Sequence, residues 1–452
     1  MILLKNCFYI ATFDGDKCMS GEDILIEDNR IKSIGKNPGT RESNCKVIDC
    51  SDCVVIPGLV NTHHHFFQTL TRNLRQVQNA KLFDWLVYLY EIWKNIDEEA
   101  VYYSTLIAAG ELLKTGCTLT TDHHYLYPVS FTGDLVGTQF EAACKLGIRF
   151  SPSRGSMSLS MKNGGLPPDS VVQDEDKILK DSLRVIEKYH DTSEDSMRKI
   201  VLAPCSPFSV TKENMKNTAR LAREYNIRLH THLAETMDEE EFCNKKFGKN
   251  PLALMEEVGF LGEDVFFAHG VYFNDDELKI LAETGTSIAH CPSSNMRLGS
   301  GIARVSEMLK LGINVGVAVD GSASNDTSDM LGELRNAMLL QRVRYGANAL
   351  TIHDVFKMGI ENGAKMLNFS QVGKIKSGWF ADLAIFNINK LEYTGSLSDP
   401  LAALLFSGIS HQTEYTIVNG KIVVENGRLT GEDESLIIRK GNQIAGKLLS
   451  LS

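Results

Sequence analysis

The sequence lacks the features of several specialised protein classes. Its 452 residues contain no Lys/Arg-rich run and carry a formal net charge of −10, so DNA and RNA are not expected as partners. No apolar run approaches the ~18 residues of a membrane span, and the start has no basic leader with a cleavage site. We therefore expect a cytoplasmic protein without a membrane or nucleic-acid partner, acting on a small molecule.

Cysteine is present without the spacing of a disulfide framework or a zinc knuckle. The ten cysteines are scattered through apolar stretches, which is typical of reduced, buried thiols. Cys50 and Cys53 form a CxxC, but no second pair or nearby histidine accompanies it. With 43% apolar and 23% charged residues, the composition is that of an ordinary globular protein.

The two ends of the chain are rich in β-strand signals. "DILIEDNRIKSIG" predicts a hairpin turning at Asp28 and Asn29, and "EYTIVNGKIVVENGRL" contains two Asn-Gly turns, at 419–420 and 426–427. We predict one small β-sandwich domain built from both termini, residues 1–57 and 371–452. Residues 58–370 form a separate catalytic domain in this prediction.

The middle of the chain alternates short apolar strands with amphipathic helices, which indicates βα units around a parallel sheet. One helix is predicted from the cap Asp97 to Lys114, and others begin near Thr211 and Asp275. Eight strand candidates follow one another: "VVIPGLVNT", "CTLTTDH", "GIRFSPS", "IVLAPCS", "IRLHTHL", "VFFAHG", "TSIAHCP" and "INVGVAVDG". Eight such units predict an α/β fold, a distorted (β/α)₈ TIM barrel whose active site lies at the carboxyl ends of its strands.

Histidines concentrate at these strand ends. Nine of the twelve histidines fall at or just after the apolar runs, at positions 63, 64, 65, 123, 124, 230, 232, 269 and 290. Histidines that merely fill the core would be scattered through strands and helices alike. Their position on one face of the barrel therefore indicates a site.

Two HxH pairs and two carboxylates give this site a metal-binding character. Residues two apart on a strand point to the same side, so His63 and His65 can face one point while His64 turns away. The spacing recurs at His230 and His232. Glu235 follows in "HTHLAE", His269 ends the sixth strand and Asp320 ends the eighth. Imidazoles with a carboxylate are a preferred zinc set.

The runs "PGLVNTHHH", "HTHLAE", "FAHG" and "VAVDGSASND" resemble the amidohydrolase superfamily, in particular its mononuclear-metal aminohydrolase branch. The resemblance implies His63, His65, His232 and Asp320 as metal ligands, with Glu235 and His269 as an acid/base pair. It leaves His64, His230 and His290 unassigned. Binuclear members carry a bridging lysine after the fourth strand, where this chain has "LAPCSPFSV", so one zinc ion is expected, with ferrous iron as the alternative.

A narrower resemblance concerns the substrate. "HHHFFQTLTRNLRQVQNAKLFDWL", "SRGSMSLS" and "HCPSSNMRLGSG" are similar to the 8-oxoguanine deaminase group and its hydroxyatrazine-aminohydrolase-like neighbours. Nucleoside deaminases of the superfamily carry a histidine where Cys205 stands, which favours a free base over a nucleoside. The zinc deaminases with an HxE and PCxxC signature do not match.

The resemblance implies hydrolysis of an exocyclic C–N bond other than a peptide bond. The metal would supply a nucleophile from water at neutral pH. Asp320 would pass a proton from water to the departing amine, Glu235 would protonate the ring nitrogen, and His269 would orient the water.

Specificity should come from residues near the barrel mouth. Gln68, Trp85 and Arg154 are the main candidates for substrate binding, with Cys205 and the weaker candidate Asn295. The alternative roles of the first three are a helix-surface amide, a core indole and a structural ion pair. The Gly/Pro-rich segment 161–176 is predicted to be a long loop that could act as a lid.

Several alternatives stay open. The substrate could instead be isocytosine, guanine, a pterin or a hydroxy-s-triazine, each of which presents an amine beside a ring nitrogen. A cyclic-amide hydrolase is disfavoured by the absent lysine. A non-catalytic metal-binding scaffold would not require Glu235 and His269. The oligomeric state is open as well, although barrels of this superfamily often form homodimers.

Overall fold

A computed structural model describes residues 1–15, 17–36 and 45–451, and residues 37–44 of the predicted N-terminal domain lie outside this description. The strands of the N-terminal part are β1 (Ile2–Cys7), β2 (Tyr9–Ala11), β3 (Cys18–Met19), β4 (Glu22–Glu27), β5 (Arg30–Gly35), β6 (Lys46–Asp49) and β7 (Cys53–Pro57). The hairpin predicted at Asp28 and Asn29 is confirmed, because Glu27 on β4 pairs with Arg30 on β5.

Within the described residues, the central part of the chain forms a parallel sheet of eight strands. They are β8 (Leu59–Asn61), β9 (Cys117–Asp122), β10 (Arg149–Ser156), β11 (Val201–Pro204), β12 (Arg228–Leu233), β13 (Val265–His269), β14 (Ser287–His290) and β15 (Val315–Val317). The first and last strands meet where Thr62 N–H donates to the Val317 carbonyl at 3.2 Å and Asp320 N–H donates to the His63 carbonyl at 3.1 Å. The predicted (β/α)₈ barrel is confirmed.

The first predicted strand is divided between two sheets. We predicted one strand over "VVIPGLVNT", but the chain passes from β7 to β8 at Gly58, whose N–H donates to the Asp382 carbonyl at 2.8 Å. A Cβ at Gly58 would lie 2.0 Å from Oγ1 of Thr118, so only glycine allows this close approach. The prediction of a single strand was wrong because both halves are equally apolar and only their tertiary neighbours separate them.

The C-terminal strands are β16 (Leu383–Asn387), β17 (Tyr415–Val418), β18 (Lys421–Glu425) and β19 (Arg428–Leu429). They extend a sheet of order β19-β18-β17-β16-β7-β2-β3, which faces a smaller sheet of order β5-β4-β1-β6. Ile24, Val55, Leu383 and Ile417 belong to the buried core shared by the two sheets. The predicted β-sandwich from both termini is confirmed, and Asn419 and Asn426 both adopt the positive φ that their turns require.

Helices surround the barrel and lie between its strands. They are α1 (Leu82–Trp93), α2 (Glu98–Lys114), α3 (Leu135–Leu146), α4 (Glu175–Tyr189), α5 (Lys212–Glu224), α6 (Met237–Phe247), α7 (Pro251–Glu257), α8 (Asp275–Thr284), α9 (Pro292–Arg297), α10 (Val305–Lys310), α11 (Met330–Tyr345), α12 (Ile352–Lys357), α13 (Gly363–Met366), α14 (Pro400–Phe406) and α15 (Glu434–Ser450). Short 3₁₀ helices span Phe66–Thr71, Arg75–Val77, Met161–Asn163, Asp169–Val171 and Leu391–Tyr393, and a π-helical turn spans Met358–Asn362.

Helix α2 begins as the sequence predicts, because the Asp97 carboxylate accepts the N–H of Ala100. The C-terminal helix α15 packs against α2 on the outside of the barrel. Among the described residues, no helix combines the length and the apolar character needed to cross a bilayer.

A buried ion pair joins the barrel to the sandwich. Arg149 on β10 donates from Nε to Asp382, just before β16, at 2.9 Å, and both side chains are almost fully buried. Asp382 also accepts the backbone N–H of Asn419, and Arg149 donates to the Ser196 carbonyl. The pair therefore connects four segments that are distant in sequence.

We expect Asp382→Asn to destabilise the fold by about 3–5 kcal/mol, because it leaves the guanidinium of Arg149 buried without a countercharge. The measurement is the free energy of unfolding in urea, monitored by circular dichroism. Asp276→Asn is the matched control, since Asp276 pairs with Lys279 on the surface and the substitution should change stability far less. Equal stability of the two variants would contradict the structural role of the buried pair.

Candidate active site

Four predicted ligands meet at the carboxyl ends of the barrel strands. His63 and His65 follow β8, His232 lies on β12, and Asp320 follows β15. Nε2 of His65 lies 3.0 Å from Nε2 of His232. Oδ1 of Asp320 lies 3.4 Å from Nε2 of both His63 and His65. The side chains are buried, so few waters can compete for these atoms.

Backbone carbonyls determine which ring nitrogen carries the proton in two of these histidines. Nδ1 of His65 lies 2.8 Å from the carbonyl oxygen of His123, and Nδ1 of His232 lies 2.6 Å from that of Cys205. A carbonyl can only accept, so each Nδ1 must be the donor. In their neutral forms both rings therefore turn an Nε2 lone pair towards the other, which is favourable only with a cation between them.

A further histidine orients the third ring. Nδ1 of His230 lies 2.8 Å from the carbonyl oxygen of Phe266, so His230 donates there and its Nε2 is an acceptor. Nε2 of His230 lies 2.7 Å from Nδ1 of His63, which must then donate. Nε2 of His63 is left with a lone pair and makes no hydrogen bond although it is buried. The two hydrogen bonds from His230, to the Phe266 carbonyl and to His63, thus orient the His63 ring so that its Nε2 lone pair faces the site.

The electrostatics suit a divalent metal ion. Burial lowers the pKa of His63, His65 and His232 below the ordinary value, which keeps the three rings neutral. Burial alone would raise the pKa of Asp320, but the adjacent His63 ring and the other nearby imidazoles lower it well below the usual range. Three neutral nitrogens and one carboxylate are a donor set that zinc prefers, and the residues present fit a metal ion.

His269 differs from the three histidines described above. Its Nδ1 accepts a hydrogen bond at 3.2 Å from the side-chain amide of Asn295, so in the neutral ring the proton is on Nε2. That Nε2 faces Oε2 of Glu235 at 3.4 Å and Oδ2 of Asp320 at 4.0 Å. His269 therefore offers a proton to the site, whereas a metal ligand would offer a lone pair.

Glu235 is a buried carboxylic acid beside these groups. Burial, together with the negative charges of Asp320 and Glu239, raises the pKa of Glu235 well above its ordinary value. Glu235 and Asp320 thus have pKa values shifted in opposite directions, the pattern of a proton donor beside a proton acceptor.

The backbone at the site is held in conformations that non-glycine residues rarely adopt. Ala234, His269 and Asp320 have φ values of 54°, 75° and 61°. The carboxylate of Glu239, fully buried, accepts the N–H groups of Ala234 and Glu235, both at 3.1 Å. Glu239 thereby stabilises the turn that presents Glu235.

A cavity adjoins three of the four candidate ligands, His65, His232 and Asp320. Helix α1 covers it with Leu82, Trp85, Leu86 and Tyr90, whose spacing of three and four residues puts them on one face of the helix. The remaining lining residues are His65, Gln68, Tyr125, Cys205, Phe208, His232, Glu235, His269, Leu298, Asp320 and Ser324. The sequence predictions for Gln68, Trp85 and Cys205 thus concern residues that line this cavity.

Arg154 and Asn295, the other two substrate-binding candidates, do not line the cavity. Nε of Arg154 donates to Asp181 at 2.6 Å, and its guanidinium lies 3.8 Å from the ring centre of Tyr127. These contacts match the alternative role of a structural ion pair. Asn295 lies behind His269, where its contact is with the imidazole.

No residue of segment 161–176 lines the cavity, but Leu166 N–H in this segment donates at 3.0 Å to the carbonyl of Phe208, which does. His64 turns away from the candidate ligands, as the alternation of side chains along a strand predicts. Its Nδ1 accepts the N–H of His65, and its Nε2 donates to Ser328 at 3.0 Å. His290 is fully buried, and neither of its ring nitrogens has a hydrogen-bond partner among the described residues.

Sequence reasoning missed the roles of His230, Glu239 and the α1 face that carries Tyr90. The second HxH did signal His230, but spacing alone could not say that it contacts another histidine. The α1 face was readable from the apolar spacing in "LFDWLVYLYEIW". That it covers the cavity depends on tertiary packing.

We expect His230→Phe to weaken zinc binding by roughly 10- to 100-fold, because His63 loses the acceptor that fixes its ring. The measurement is competition for zinc against a chromophoric chelator. His124→Phe is the control, since His124 is buried and its ring nitrogens have no partner within the described residues. Wild-type zinc affinity in His230→Phe would show that the histidine pair does not orient the ligand.

Comparison with known proteins agrees with this geometry. Residues 54–423 match the Amidohydrolase family. The chain is 42% identical to the 8-oxoguanine deaminase of Pseudomonas aeruginosa, with 99% of each chain covered. It is 35% identical to the hydroxydechloroatrazine ethylaminohydrolase of Pseudomonas sp. strain ADP, covering 95% of this chain and 92% of that one.

A solved structure is similar over nearly the whole chain. The atrazine chlorohydrolase TrzN from Arthrobacter aurescens TC1, complexed with zinc, superposes with a TM-score of 0.92 at 29% identity, covering 98% of this chain and 100% of the other. The family match and the relatives make this chain an aminohydrolase of heterocyclic substrates that hydrolyses C–N bonds. The chain belongs to the amidohydrolase family.

Proposed function

We propose that the protein is a zinc-dependent deaminase that converts 8-oxoguanine to urate and ammonia. The observation that carries the proposal is the arrangement of three buried imidazoles and Asp320 beside the buried Glu235. The 42% identity to an 8-oxoguanine deaminase over the whole chain supports the choice of substrate. Cys205, where nucleoside deaminases of the superfamily carry histidine, agrees with a free base.

His63, His65, His232 and Asp320 would hold the metal ion, with zinc favoured and ferrous iron as the alternative. When bound, the ion would make water a nucleophile at neutral pH. His269 is not included among the ligands, because its proton is on the nitrogen that faces the site. Its N–H can instead hold the oxygen of the attacking water in place.

The protons can move between two carboxyl groups. Glu235, protonated because of its raised pKa, donates to the ring nitrogen next to the carbon that carries the amine. Asp320, ionised, takes a proton from the attacking water and passes it to the departing amino group. A C–O bond forms, and the C–N bond breaks as ammonia leaves. The remaining proton of the former water returns to Glu235, so that C–NH₂ is replaced by C=O.

The cavity suits a flat ring. The cavity has apolar walls, which are formed by Leu82, Trp85, Leu86, Phe208 and Leu298. A small heterocycle can place its amine at the metal end and its remaining ring between these side chains.

Isocytosine, guanine, a pterin or a hydroxy-s-triazine are the alternative substrates, since each presents an amine beside a ring nitrogen. A non-catalytic scaffold is less favoured, because a structural zinc site has no need of a protonated glutamate. The small-molecule substrate and a cytoplasmic location remain part of this proposal.

With zinc-supplemented protein, we expect ammonia release from 8-oxoguanine. Its kcat/KM should be at least ~10-fold above that for guanine, isocytosine or isoxanthopterin, because a substrate that leaves one buried polar group of the site unpaired loses about this factor. Enzyme-coupled ammonia detection measures it, with alkylamine release from hydroxyatrazine followed in parallel. A preference for another member of the panel would replace the substrate and keep the reaction. No turnover of any of them, with zinc shown to be bound, would refute the proposal.

We expect Glu235→Gln to lower kcat by about 10²–10⁴-fold, because the amide cannot deliver a proton to the ring. Zinc content, measured by atomic absorption, should stay at the wild-type level. Glu277→Gln is the control, a mostly buried glutamate that caps helix α8 and should leave kcat unchanged. Retained turnover in Glu235→Gln would remove Glu235 from the mechanism.

A further inference from the structure

A tyrosine in the cavity has a hydroxyl group without a partner. Tyr90 lies on α1, lines the cavity and is fully buried, yet its hydroxyl makes no hydrogen bond within the described part of the chain. A buried polar group without a partner is costly, and native proteins usually satisfy it. The hydroxyl of Tyr90 therefore indicates a missing ligand atom.

The neighbours of this hydroxyl are also cavity residues. Burial, with a smaller contribution from the Cys205 thiol, raises the pKa of Tyr90 well above its ordinary value, so the phenol remains a donor. Tyr90 in turn contributes to the raised pKa of Tyr125. Both neighbours line the cavity, as Tyr90 does.

The lining offers neutral donors and no cation. Neither lysine nor arginine is among the described residues that line the cavity. Gln68 accepts the N–H of Ala323 with Oε1 at 3.3 Å, which leaves its NH₂ group as a donor. A carboxylate or phosphate on the ligand would lack a countercharge here. A ring carbonyl, as in a lactam or cyclic urea, matches neutral donors.

The position of Tyr90 relative to the ligands says which carbonyl is meant. Tyr90 belongs to α1, which covers the cavity, whereas the candidate ligands belong to the ends of barrel strands. In a bicyclic substrate whose amine lies at the metal end, the second ring extends towards α1. Its carbonyl is then the group nearest to Tyr90.

We propose that Tyr90 is a specificity-determining residue, which donates its hydroxyl to a carbonyl on the ring of the substrate that does not carry the reacting amine. This inference rests on the proposed deaminase function and makes it narrower, since it selects oxidised, bicyclic amino heterocycles. It adds a requirement that the metal site and the acid/base pair do not impose.

The test compares substrates that differ by this one carbonyl: 8-oxoguanine with guanine, and isoxanthopterin with pterin. In the zinc-loaded Tyr90→Phe variant, kcat/KM for the carbonyl-bearing member should fall about 10-fold, mostly through KM, because an acceptor is left unpaired. The member without the carbonyl should change less than ~2-fold. Equal losses for both members, or no loss, would overturn the assignment.

Tyr127→Phe is the matched control. Tyr127 is also buried and its hydroxyl also lacks a partner among the described residues, but it lies against Arg154 outside the cavity. Both members of each pair should keep their kcat/KM in this variant. Without ligand, Tyr90→Phe should unfold at the wild-type temperature or above, because no hydrogen bond of the free protein is lost.

Failure of the proposed function can be distinguished from failure of this inference. If the wild type deaminates none of the four compounds, calorimetric titration of the same compounds into both zinc-loaded proteins decides. Binding of the carbonyl-bearing members about 10-fold weaker in Tyr90→Phe would support the role of Tyr90. Equal binding, or no binding to either protein, would refute it even where deamination of another heterocycle is found.

Discussion

The structure depends on three imidazole lone pairs that are forced towards one buried point. Each ring is held from behind: His65 by the carbonyl of His123, His232 by that of Cys205, and His63 through His230. Repulsion between these lone pairs must be offset by a cation, and the ionised Asp320 adds the matching negative charge. The metal site is thus a consequence of the hydrogen bonds behind it, as is common for metal-bound histidines.

The barrel makes this arrangement possible because it brings strand ends together from distant parts of the sequence. The carbonyl of Phe266 comes from strand β13 and that of Cys205 from the loop after β11. The protonated nitrogen of His230 and of His232 therefore depends on the register between neighbouring strands. The rare backbone conformations at His269 and Asp320 are maintained within this rigid frame. In a less rigid scaffold, the backbone of both residues would relax, and their side chains would no longer point into the site.

The proposed chemistry depends on side chains of the same type that differ in protonation because their surroundings differ. Glu235 and Asp320 are both buried carboxyl groups. Burial and neighbouring carboxylates raise the pKa of Glu235, whereas the surrounding imidazoles outweigh burial and lower the pKa of Asp320. His269 differs from the three ligand candidates because an amide donor, Asn295, stands where they have acceptors. In the proposed function, the neutral donors Gln68 and Tyr90 on the cavity side select the heterocycle that is accommodated.

The sequence by itself determined the barrel, the sandwich from both termini and the strand ends at which the reactive residues lie. These features follow from apolar periodicity and from turn residues such as Asn419, which act over a few neighbouring positions. Only the tertiary structure decided the division of the first strand at Gly58, the pairing of Arg154 with Asp181, the role of His230 and the unpartnered hydroxyl of Tyr90. Each of these depends on atoms that lie far apart in the chain, and local sequence patterns carry no information about which distant donor, acceptor or charge will be the neighbour.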